Sequence, residues 1–567
     1  MCGIVGYVGN RNAHEILLEG LRRLEYRGYD SAGLAVPEAK NISVRRAIGK
    51  VANLARVFEE SPALAHSGIA HTRWATHGEP SERNAHPHVD GSAKFAVVHN
   101  GIIENYKGLR SRLIEGGHEF YSETDSEVLP KLINEFYDGD VFAAVASAVR
   151  QVEGTYGIAV ICSDHPGEVV VARKGSPIVI GIGDSESIIA SDVSAIIAHT
   201  NNVVYLDDGD MALVTAHSVD LRNMDNIPIT REVSHIDWDI EAVEKGGFKH
   251  FMLKEINEQP DALGNAIRGR LDFDRGTALL SGLNMEPLDM VAINRLIIAA
   301  CGTSLHAGMV GEYFFEDLAS ITTEVDQAAE FRYRNPIVDG QTLTLAISQS
   351  GETADTLAAV REAKTKGSQI AALCNVVGST IARESGRGVY LHAGPEISVA
   401  STKAFTTQVA VLLMMALKFA RTRRLPRQAG VELAREIESL PELVQQVVDR
   451  AGDIEKLARK WAHIKHCFFI GRGCLYPVAL EGALKLKEIS YVHAEGYHAA
   501  ELKHGPIALL DKDCPVIALA NDVPGQEKVL GNIQECQARK APVIVTATDG
   551  DEHMRDVTED IIWIPRT

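Results

Sequence analysis

The spacing of apolar residues divides the chain into two parts with different rhythms. From residue 1 to about 235, short β-rich runs are interrupted by helical segments near 13–24, 103–115 and 125–137. Strands and helices that occur in clusters, without regular βαβ alternation, indicate an α+β layered domain. The clearest of these strand predictions are 94–99, 157–162, 168–173 and 177–182.

From about residue 290 the rhythm becomes an apolar strand, a Gly/Ser turn and a helix. The runs 296–304 and 343–351 are two such units. This repeating order is typical of a doubly wound α/β sheet. We therefore predict a second fold class in the C-terminal half.

The strand-and-turn pattern of this half occurs twice. The residues of the first pair, Gly302 and Ser348, recur as Gly473 and Ala520, at offsets of 171 and 172 residues. Two nearly constant offsets predict a tandem duplication of one α/β unit.

A polar run containing Gly246 and Gly247, at 236–250, predicts a linker between the two parts. The predicted domains are an N-terminal domain over 2–235, a linker with connecting helices over 236–284, and two α/β copies over 285–425 and 455–567.

Composition narrows the classes of protein. The chain is 45% apolar and 23% charged, which is typical of a globular protein. Its formal charge of −19 argues against sequence-independent nucleic-acid binding, which requires a basic face.

The longest apolar run, Val409 to Leu417, stops at Lys418, so it predicts a buried helix and not a membrane span. The N-terminus lacks the pattern of a secretory signal. Eight cysteines without a Cys-x-x-Cys pair indicate reduced thiols and a cytoplasmic protein.

Cys2 is the first candidate catalytic residue. If Met1 is removed, the α-amine of Cys2 lies beside its own thiol and has a suitable pKa to act as the base. Taken alone, a cysteine at position 2 is more simply read as incidental.

Later residues supply the partners that such a nucleophile needs. Asn100-Gly101 between apolar runs predicts a tight hairpin turn, and its amide groups could also stabilise an oxyanion. Arg73 could bind a carboxylate, and Asp125 could bind an ammonium group. These are the two charged groups of an amino-acid substrate.

Five histidines in the same region raise the question of a metal. They lack the fixed helical spacing of a zinc motif, so we expect hydrogen-bonded loop histidines and no metal. They are His71, His77, His86, His88 and His99.

The second constellation is a pair of polar turns, 301–304 and 348–353, each of which follows an apolar strand. Such hydroxyls can simply cap helices. Two adjacent turns at the carboxyl ends of strands also match the place where open α/β sheets bind anions, and we favour a phosphate site. The second copy has Leu475 in place of Ser304, and Ala520 in place of Ser348, so only the first copy is expected to bind phosphate.

The second copy contributes a charged helical face instead. Glu481, Lys485 and Glu488 are spaced i, i+4 and i+7. Spacing alone leaves two interpretations open, a solvated helix with ion pairs or a set of acid–base groups.

Taken together, these motifs resemble those of a known protein family. The segments 1–6, 27–33, 71–80 and 99–101 are similar to the glutaminase domain of N-terminal-nucleophile amidotransferases. With the second half included, nearly the whole chain resembles the glutamine–fructose-6-phosphate aminotransferase family. The fold implied is a layered α/β/β/α N-terminal-nucleophile domain followed by two doubly wound α/β sugar isomerase (SIS) domains.

The resemblance implies roles in glutamine hydrolysis. Cys2 attacks the glutamine amide, Asn100 and Gly101 stabilise the oxyanion, and Trp74 gates the ammonia path. The residues that hold glutamine are Arg73, Thr76, His77 and Asp125.

The resemblance also implies roles in the sugar reaction. Glu488 transfers the proton between C1 and C2 with assistance from Lys485, His504 opens the sugar ring, and Val399 and Ser401 touch the sugar. The residues that cradle fructose 6-phosphate are Gly302, Thr303, Ser304, Ser348, Gln349, Ser350 and Thr353.

The expected partners are L-glutamine, fructose 6-phosphate and a second copy in a homodimer, with no nucleic acid, membrane, cofactor or metal. Amidotransferases with other acceptors share the N-terminal motif, but the duplicated α/β pattern argues against them. A non-catalytic sugar-phosphate sensor is the rival from another class.

Family members continue into a tail with a lysine proposed to form a Schiff base with the sugar. The sequence ends at Thr567 without it. We therefore expect glutamine hydrolysis to survive better than synthesis, with glutaminase-only activity or regulatory sugar-phosphate binding as the alternative function.

Overall fold

The computed structural model describes residues 2–25, 28–38, 41–60, 64–75, 78–236 and 245–567. The chain divides into two compact units, residues 1–244 and 245–567. The predicted polar linker, 236–250, falls at this division, although 237–244 lie outside the described residues.

The first unit contains two antiparallel sheets. The strand order is β14-β11-β9-β10-β1-β4-β2-β3 in one sheet and β13-β12-β8-β7-β6-β5 in the other. The strands are β1 Gly3–Gly9, β2 Ser31–Glu38, β3 Asn41–Ile48, β4 Ser67–Arg73, β5 His88–Val89, β6 Phe95–Ile103, β7 Gly154–Cys162, β8 Val169–Lys174, β9 Val179–Ile182, β10 Glu186–Ala190, β11 Asn202–Tyr205, β12 Asp210–Val214, β13 Val219–Asn223 and β14 Ser234–His235.

Five helices cover the outer faces of these sheets. The helices α1 and α2 contact the first sheet, and α3 to α5 share a core with the second. Between the sheets, Ile4, Ile69, Val98 and Val171 form an apolar layer to which both contribute. The predicted α/β/β/α layering is thereby confirmed. The helices are α1 Ala13–Leu24, α2 Val51–Glu60, α3 Tyr106–Glu115, α4 Val128–Phe136 and α5 Val141–Val149.

The second unit contains two parallel five-stranded sheets with the same topology. Their orders, β18-β17-β19-β20-β21 and β23-β22-β24-β25-β26, are both 2-1-3-4-5 when each is counted from its own first strand. The strands are β15 Leu271–Asp272 and β16 Thr277–Ala278, which form a small hairpin, then β17 Arg295–Ala300, β18 Thr322–Gln327, β19 Thr342–Ser348, β20 Gln369–Cys374, β21 Gly388–Tyr390, β22 His466–Gly471, β23 His493–His498, β24 Val516–Leu519, β25 Val543–Thr548 and β26 Ile561–Ile564.

The identical strand order confirms the predicted duplication. Parallel strands are covered on both faces, which is why they read as continuous apolar runs and not as alternating ones. The helices of this unit are α6 Phe251–Asn257, α7 Gln259–Ile267, α8 Pro287–Ala292, α9 Thr303–Phe314, α10 Ala328–Phe331, α11 Ala354–Thr365, α12 Thr380–Ser385, α13 Lys403–Arg423, α14 Arg427–Asp449, α15 Ala451–Lys460, α16 Leu475–Ser490 and α17 Gln526–Ala538.

The longest apolar run of the sequence lies in α13. By length and composition this helix could cross a membrane, but 72% of its apolar window is buried inside the fold. It packs against α7, α9 and α14. The prediction of a buried core helix is confirmed.

Candidate active sites

Cys2 lies immediately before β1, next to the end of β4. The two strands pair antiparallel with Gly3 opposite Thr72, so Cys2 is brought beside Trp74. The Cys2 Sγ accepts a hydrogen bond from the Trp74 backbone N–H at 3.2 Å. Burial raises the pKa of the Cys2 thiol, and the Trp74 hydrogen bond offsets this only in part. The thiol therefore needs a base before it can act as a nucleophile.

The Asn100 side chain is fixed at both ends. Its Nδ2 donates to the Cys2 carbonyl at 3.0 Å, and its Oδ1 lies 3.0 Å from His71 Nε2. Since burial lowers the pKa of His71 to about 3, the ring is neutral and presents an N–H to the amide oxygen. The amide is thus oriented with its NH₂ group toward Cys2.

The predicted hairpin turn at Asn100-Gly101 is wrong. Both residues lie within β6, which continues to Ile103 and pairs with β7 through Gly101 opposite Tyr156. Gly101 has a φ of +138°, and an added Cβ would lie 2.1 Å from the Thr155 carbonyl oxygen. The glycine therefore marks a close backbone approach inside a strand and not a turn.

Arg73 and Asp125 are both held by neighbouring backbone. Arg73 is 3% exposed and donates to the carbonyls of Gly78 and Glu79. Asp125 accepts from the Ile103 N–H at 2.8 Å, which ties it to the end of the strand that carries Asn100. Thr76 and His77, the other predicted glutamine ligands, lie outside the described residues.

The predicted gate residue, Trp74, is 44% exposed. Its ring packs edge to face against Tyr29, with centroids 5.3 Å apart. Asp30 accepts from the Ala75 N–H at 2.8 Å. The segment 28–30 therefore holds the turn at Trp74, a role that the sequence alone did not assign.

The expectation of loop histidines is wrong for three of the five. His71, His88 and His99 lie on β4, β5 and β6. The ring of His86 lies between those of His71 and His88, tilted against the first and edge-on to the second, at centroid distances of 4.2 and 4.5 Å. Burial lowers the pKa of His71, His86, His88 and His99, so this row is neutral. His77 lies outside the described residues.

The two polar turns of the first α/β copy lie side by side. They follow β17 and β19, which are adjacent parallel strands with Ala300 opposite Ile347. Ser348 Oγ lies 2.9 Å from Thr353 Oγ1 and accepts from the Gly351 N–H. Gly351 has a φ of +65°, and an added Cβ would lie 1.9 Å from Ser379 Oγ. This turn depends on glycine.

The other members of the predicted cradle lie on the same two turns. Gly302 and Thr303 open α9, and Ser304 accepts from Gln408 of α13 at 3.0 Å. Ser350 Oγ accepts from the Glu352 N–H, and the Gln349 carbonyl accepts from the Asn375 N–H. The edge of the first sheet is therefore a compact set of hydroxyls and first-turn N–H groups.

Val399 and Ser401 lie on the irregular segment 391–402, between β21 and α13. Val399 is exposed, and Ser401 Oγ donates to Glu396 at 2.8 Å. The Val399 side chain is therefore accessible to a ligand from solvent.

The charged face of α16 contacts the turn after β17, within the second unit. Lys485 Nζ lies 3.1 Å from Thr303 Oγ1, 3.2 Å from Glu481 and 3.0 Å from Glu488. Glu481 also accepts from Thr303 Oγ1 at 2.9 Å and pairs with His306 at 2.7 Å. The interpretation of a merely solvated helix is wrong, because this face joins the two α/β copies.

The charge of Glu481 is fixed by these partners. Burial raises its pKa, but the hydrogen bond from His306 and the charge of Lys485 outweigh burial and leave the pKa below the ordinary value of 4.5. Glu481 is therefore ionised. His306 was missed by sequence reasoning because it lies 175 residues away along the chain.

His504 is not joined to this group by a hydrogen bond or ion pair among the described residues. It ends a short 3₁₀ helix, Ala499–His504, and is exposed.

In the second copy, the residues at the turn that corresponds to Ser348 are buried or paired with other side chains. Ala520 is fully buried, Asn521 accepts from Thr546 Oγ1 at 3.1 Å, and Asp522 pairs with Arg566 at 2.9 Å. A carboxylate here would repel an anion. The two turns therefore differ in structure, and the restriction of phosphate binding to the first copy stays a prediction.

Comparisons with known proteins agree with both halves of the chain. Residues 71–198 match the model of a glutamine amidotransferase domain, and residues 290–418 and 461–560 match the model of the SIS domain.

Full-length relatives are also similar. The chain is 50% identical to the glutamine–fructose-6-phosphate aminotransferase (isomerizing) of Chlorobaculum tepidum and 48% identical to that of Thermus thermophilus, covering 100% of this chain and 93% of each relative. Among solved structures, the C-terminal domain of glucosamine-fructose-6-phosphate aminotransferase from Francisella tularensis matches with a TM-score of 0.54 and 39% identity, over 57% of this chain and 90% of that one.

Proposed function

Because the chain belongs to the glutamine–fructose-6-phosphate aminotransferase (isomerizing) family, we propose that it converts L-glutamine and D-fructose 6-phosphate to L-glutamate and D-glucosamine 6-phosphate. The observation that carries this proposal is the presence of two complementary sites on one chain. Cys2 and Asn100 are hydrogen-bonded neighbours in the first unit. Lys485 meets the polar turn at Thr303 in the second.

Glutamine hydrolysis begins at the buried Cys2 thiol. After removal of Met1, the α-amine of Cys2 takes the thiol proton, and the sulfur attacks the side-chain amide carbonyl. The Asn100 amide and the Gly101 N–H stabilise the oxyanion. Collapse releases ammonia and leaves a thioester on Cys2, which water hydrolyses to glutamate.

Substrate charges match the groups around this nucleophile. We assign the glutamine carboxylate to Arg73, with Thr76 and His77, and its ammonium group to Asp125. Burial of Arg73 and Asp125, at 3% and 5% exposure, strengthens these pairings. Trp74, at the mouth of the site, is the gate through which ammonia leaves.

The sugar phosphate is held by the first α/β copy. The hydroxyls of Ser348, Ser350 and Thr353 and the N–H groups that begin α11 hold the phosphate, while Gly302 to Ser304, Gln349, Val399 and Ser401 hold the sugar. We assign opening of the sugar ring to His504, which is exposed and must approach the cyclic sugar to act on it.

Synthesis then proceeds on the charged face of α16. Ammonia adds to the C2 carbonyl and water leaves, giving an imine. Glu488 removes a proton from C1 and returns it to C2. The C1 hydroxyl loses its proton and the imine nitrogen gains one, so the carbonyl forms at C1 and the amine remains on C2. The Lys485 Nζ lies 3.0 Å from the Glu488 carboxylate and so orients it as the base. We further propose that the enzyme acts as a cytoplasmic homodimer and supplies amino-sugar precursors.

The test is a product assay with glutamine and fructose 6-phosphate on the wild type and on Cys2→Ala. The variant should lose glutamine hydrolysis by at least about 10⁴-fold, because the nucleophile is gone. It should retain isomerisation of fructose 6-phosphate.

Mass spectrometry of the N-terminus supplies the control. Active protein that still carries Met1 would contradict the assignment of the α-amine as base. Ammonia release by wild type without glucosamine 6-phosphate would contradict the proposed synthase and favour a glutaminase.

A further inference from the structure

The segment 391–402 has no regular secondary structure, although it carries Val399 and Ser401. A stretch of this length must have its backbone groups satisfied from elsewhere if it is to hold one conformation. Asn375 holds its beginning, by accepting from the Ala393 N–H and donating to the Gly394 carbonyl. Glu396 holds its end, by accepting from Ser401 Oγ and the Thr402 N–H.

The middle of the segment is held by one carboxylate from another element. Glu255 of α6 accepts from the N–H groups of Ile397 and Ser398, at 2.6 and 3.0 Å, and from Ser398 Oγ. Glu255 is 2% exposed. Because it binds consecutive N–H groups, it fixes the direction of the chain just before Val399.

We infer that Glu255 is a positioning residue for fructose 6-phosphate, which holds the segment 397–401 in the conformation that meets the sugar. This inference rests on the proposed sugar-phosphate function. Glu255 does not touch the reacting atoms and acts only through the segment.

A similar arrangement in the first unit supports a loop-holding role. Glu127 accepts from the N–H groups of Tyr121 and Ser122 and from Ser122 Oγ. The segment that it holds leads to Asp125, a proposed glutamine ligand. In both units a buried carboxylate accepts hydrogen bonds from two consecutive N–H groups and a serine hydroxyl. In both, the segment that it binds lies next to a proposed substrate-binding residue.

The two carboxylates differ in their charged neighbours. Glu127 lies 3.1 Å from the buried ammonium of Lys131, and although burial raises its pKa, its hydrogen bonds and this charge bring the pKa below the ordinary value. Burial raises the pKa of Glu255 to about 7, and the charge of Glu396 adds to the rise.

The charged groups on the elements around Glu255 include two lysines and a glutamate. Lys254 of α6 and Lys403 of α13 lie 3.3 and 2.7 Å from the carboxylate of Glu258. Glu255 therefore gains a proton as the pH falls through about 7. A protonated carboxyl accepts fewer hydrogen bonds, so the segment should loosen.

The test compares Glu255→Gln with wild type by calorimetric titration of fructose 6-phosphate between pH 6 and 8.5. At pH 8.5 the variant should bind about tenfold more weakly, since charge-assisted hydrogen bonds to the segment are lost. This penalty should shrink below pH 7, where wild type loses the same charge. Titration of the substrate phosphate is common to both proteins and cancels in the ratio.

Two further variants keep the test decisive. Ser398→Ala removes one donor and should weaken binding by about threefold, with a smaller risk to folding. Glu286→Gln alters a carboxylate of the same unit that caps α8 and not this segment, so its binding should equal that of wild type. The glutaminase rate should be unchanged in all three.

Amide hydrogen exchange gives a readout that does not need the sugar. Exchange at Ile397 and Ser398 should be faster in Glu255→Gln. A penalty that stays constant with pH, or unchanged binding despite faster exchange, would overturn the inference. Wild-type protein that does not bind fructose 6-phosphate would instead count against the proposed function, and the exchange data would still report whether Glu255 holds the segment.

Discussion

The two α/β copies of the second unit share one strand order, yet the same edge of each sheet has different chemistry. The first copy presents the hydroxyls of Ser348 and Thr353, 2.9 Å apart. In the second, Ala520 is buried and Asp522 pairs with Arg566. The duplication therefore gave two sheets of the same topology, and only the first has hydroxyl groups at this turn.

What the second copy contributes lies on its first helix. The face of α16 brings Lys485 to Thr303 of the first copy. In the first copy the corresponding helix, α9, supplies that turn and His306. The comparison teaches that the proposed sugar site needs both copies, one for binding and the other for proton transfer.

The largest effect should come from the residue that joins the copies. Lys485→Met removes the ammonium group between Glu481, Glu488 and Thr303, and synthesis should fall by about 10²–10⁴-fold, as expected for loss of an acid–base partner. The assay is glucosamine 6-phosphate formation, with glutamine hydrolysis measured in parallel. Lys487→Met, on the exposed face of the same helix, is the matched control. Equal losses in both variants would show that the helix, and not this charge, matters.

A smaller effect tests the asymmetry of the turns. Ser348→Ala combined with Thr353→Ala should weaken fructose 6-phosphate binding by about ten- to a hundredfold, because two hydroxyl donors to the phosphate are lost. Ala520→Ser restores a hydroxyl in the second copy and should change binding by less than about twofold. Titration calorimetry measures both. If both variants had comparable small effects on binding, the assignment of the phosphate to the first copy would be wrong.

The smallest effect concerns how the copies are held together. Glu481→Gln should lower the free energy of unfolding by about 1–3 kcal/mol near pH 7, since a buried carboxylate loses charge-assisted bonds to His306 and Lys485. The folded-state pKa of Glu481 is below 4.5, so the wild-type advantage is present above that pH and lost as the pH falls through the lowered value.

Chemical denaturation at several pH values checks the Glu481 prediction. An advantage that grows as the pH falls from 7 to 4 would contradict it, because the sign of the linkage would be reversed.

Much of the fold could be predicted from local patterns. Runs such as 296–300 were recognisable because parallel strands are buried on both faces, and the duplication was visible as a fixed offset. Cys2 became a catalytic candidate because it follows the initiator methionine, and Asn100 because the segment 99–101 resembles a glutaminase motif. The turn at Asn100-Gly101 was predicted wrongly, because whether β6 continues past Gly101 depends on a partner strand more than 50 residues further along the chain.

The sequence by itself therefore determined the number and class of the domains, the duplication, and the kinds of chemical group present. Only the tertiary structure decided which of those groups act together. Three hydrogen bonds illustrate this: His71 with Asn100, His306 with Glu481, and Ser398 with Glu255. They join residues 29, 175 and 143 positions apart. Periodicity reports how a residue faces its own strand or helix. Periodicity does not show which polar group from a distant part of the chain a buried residue will contact. Tertiary packing decides that contact.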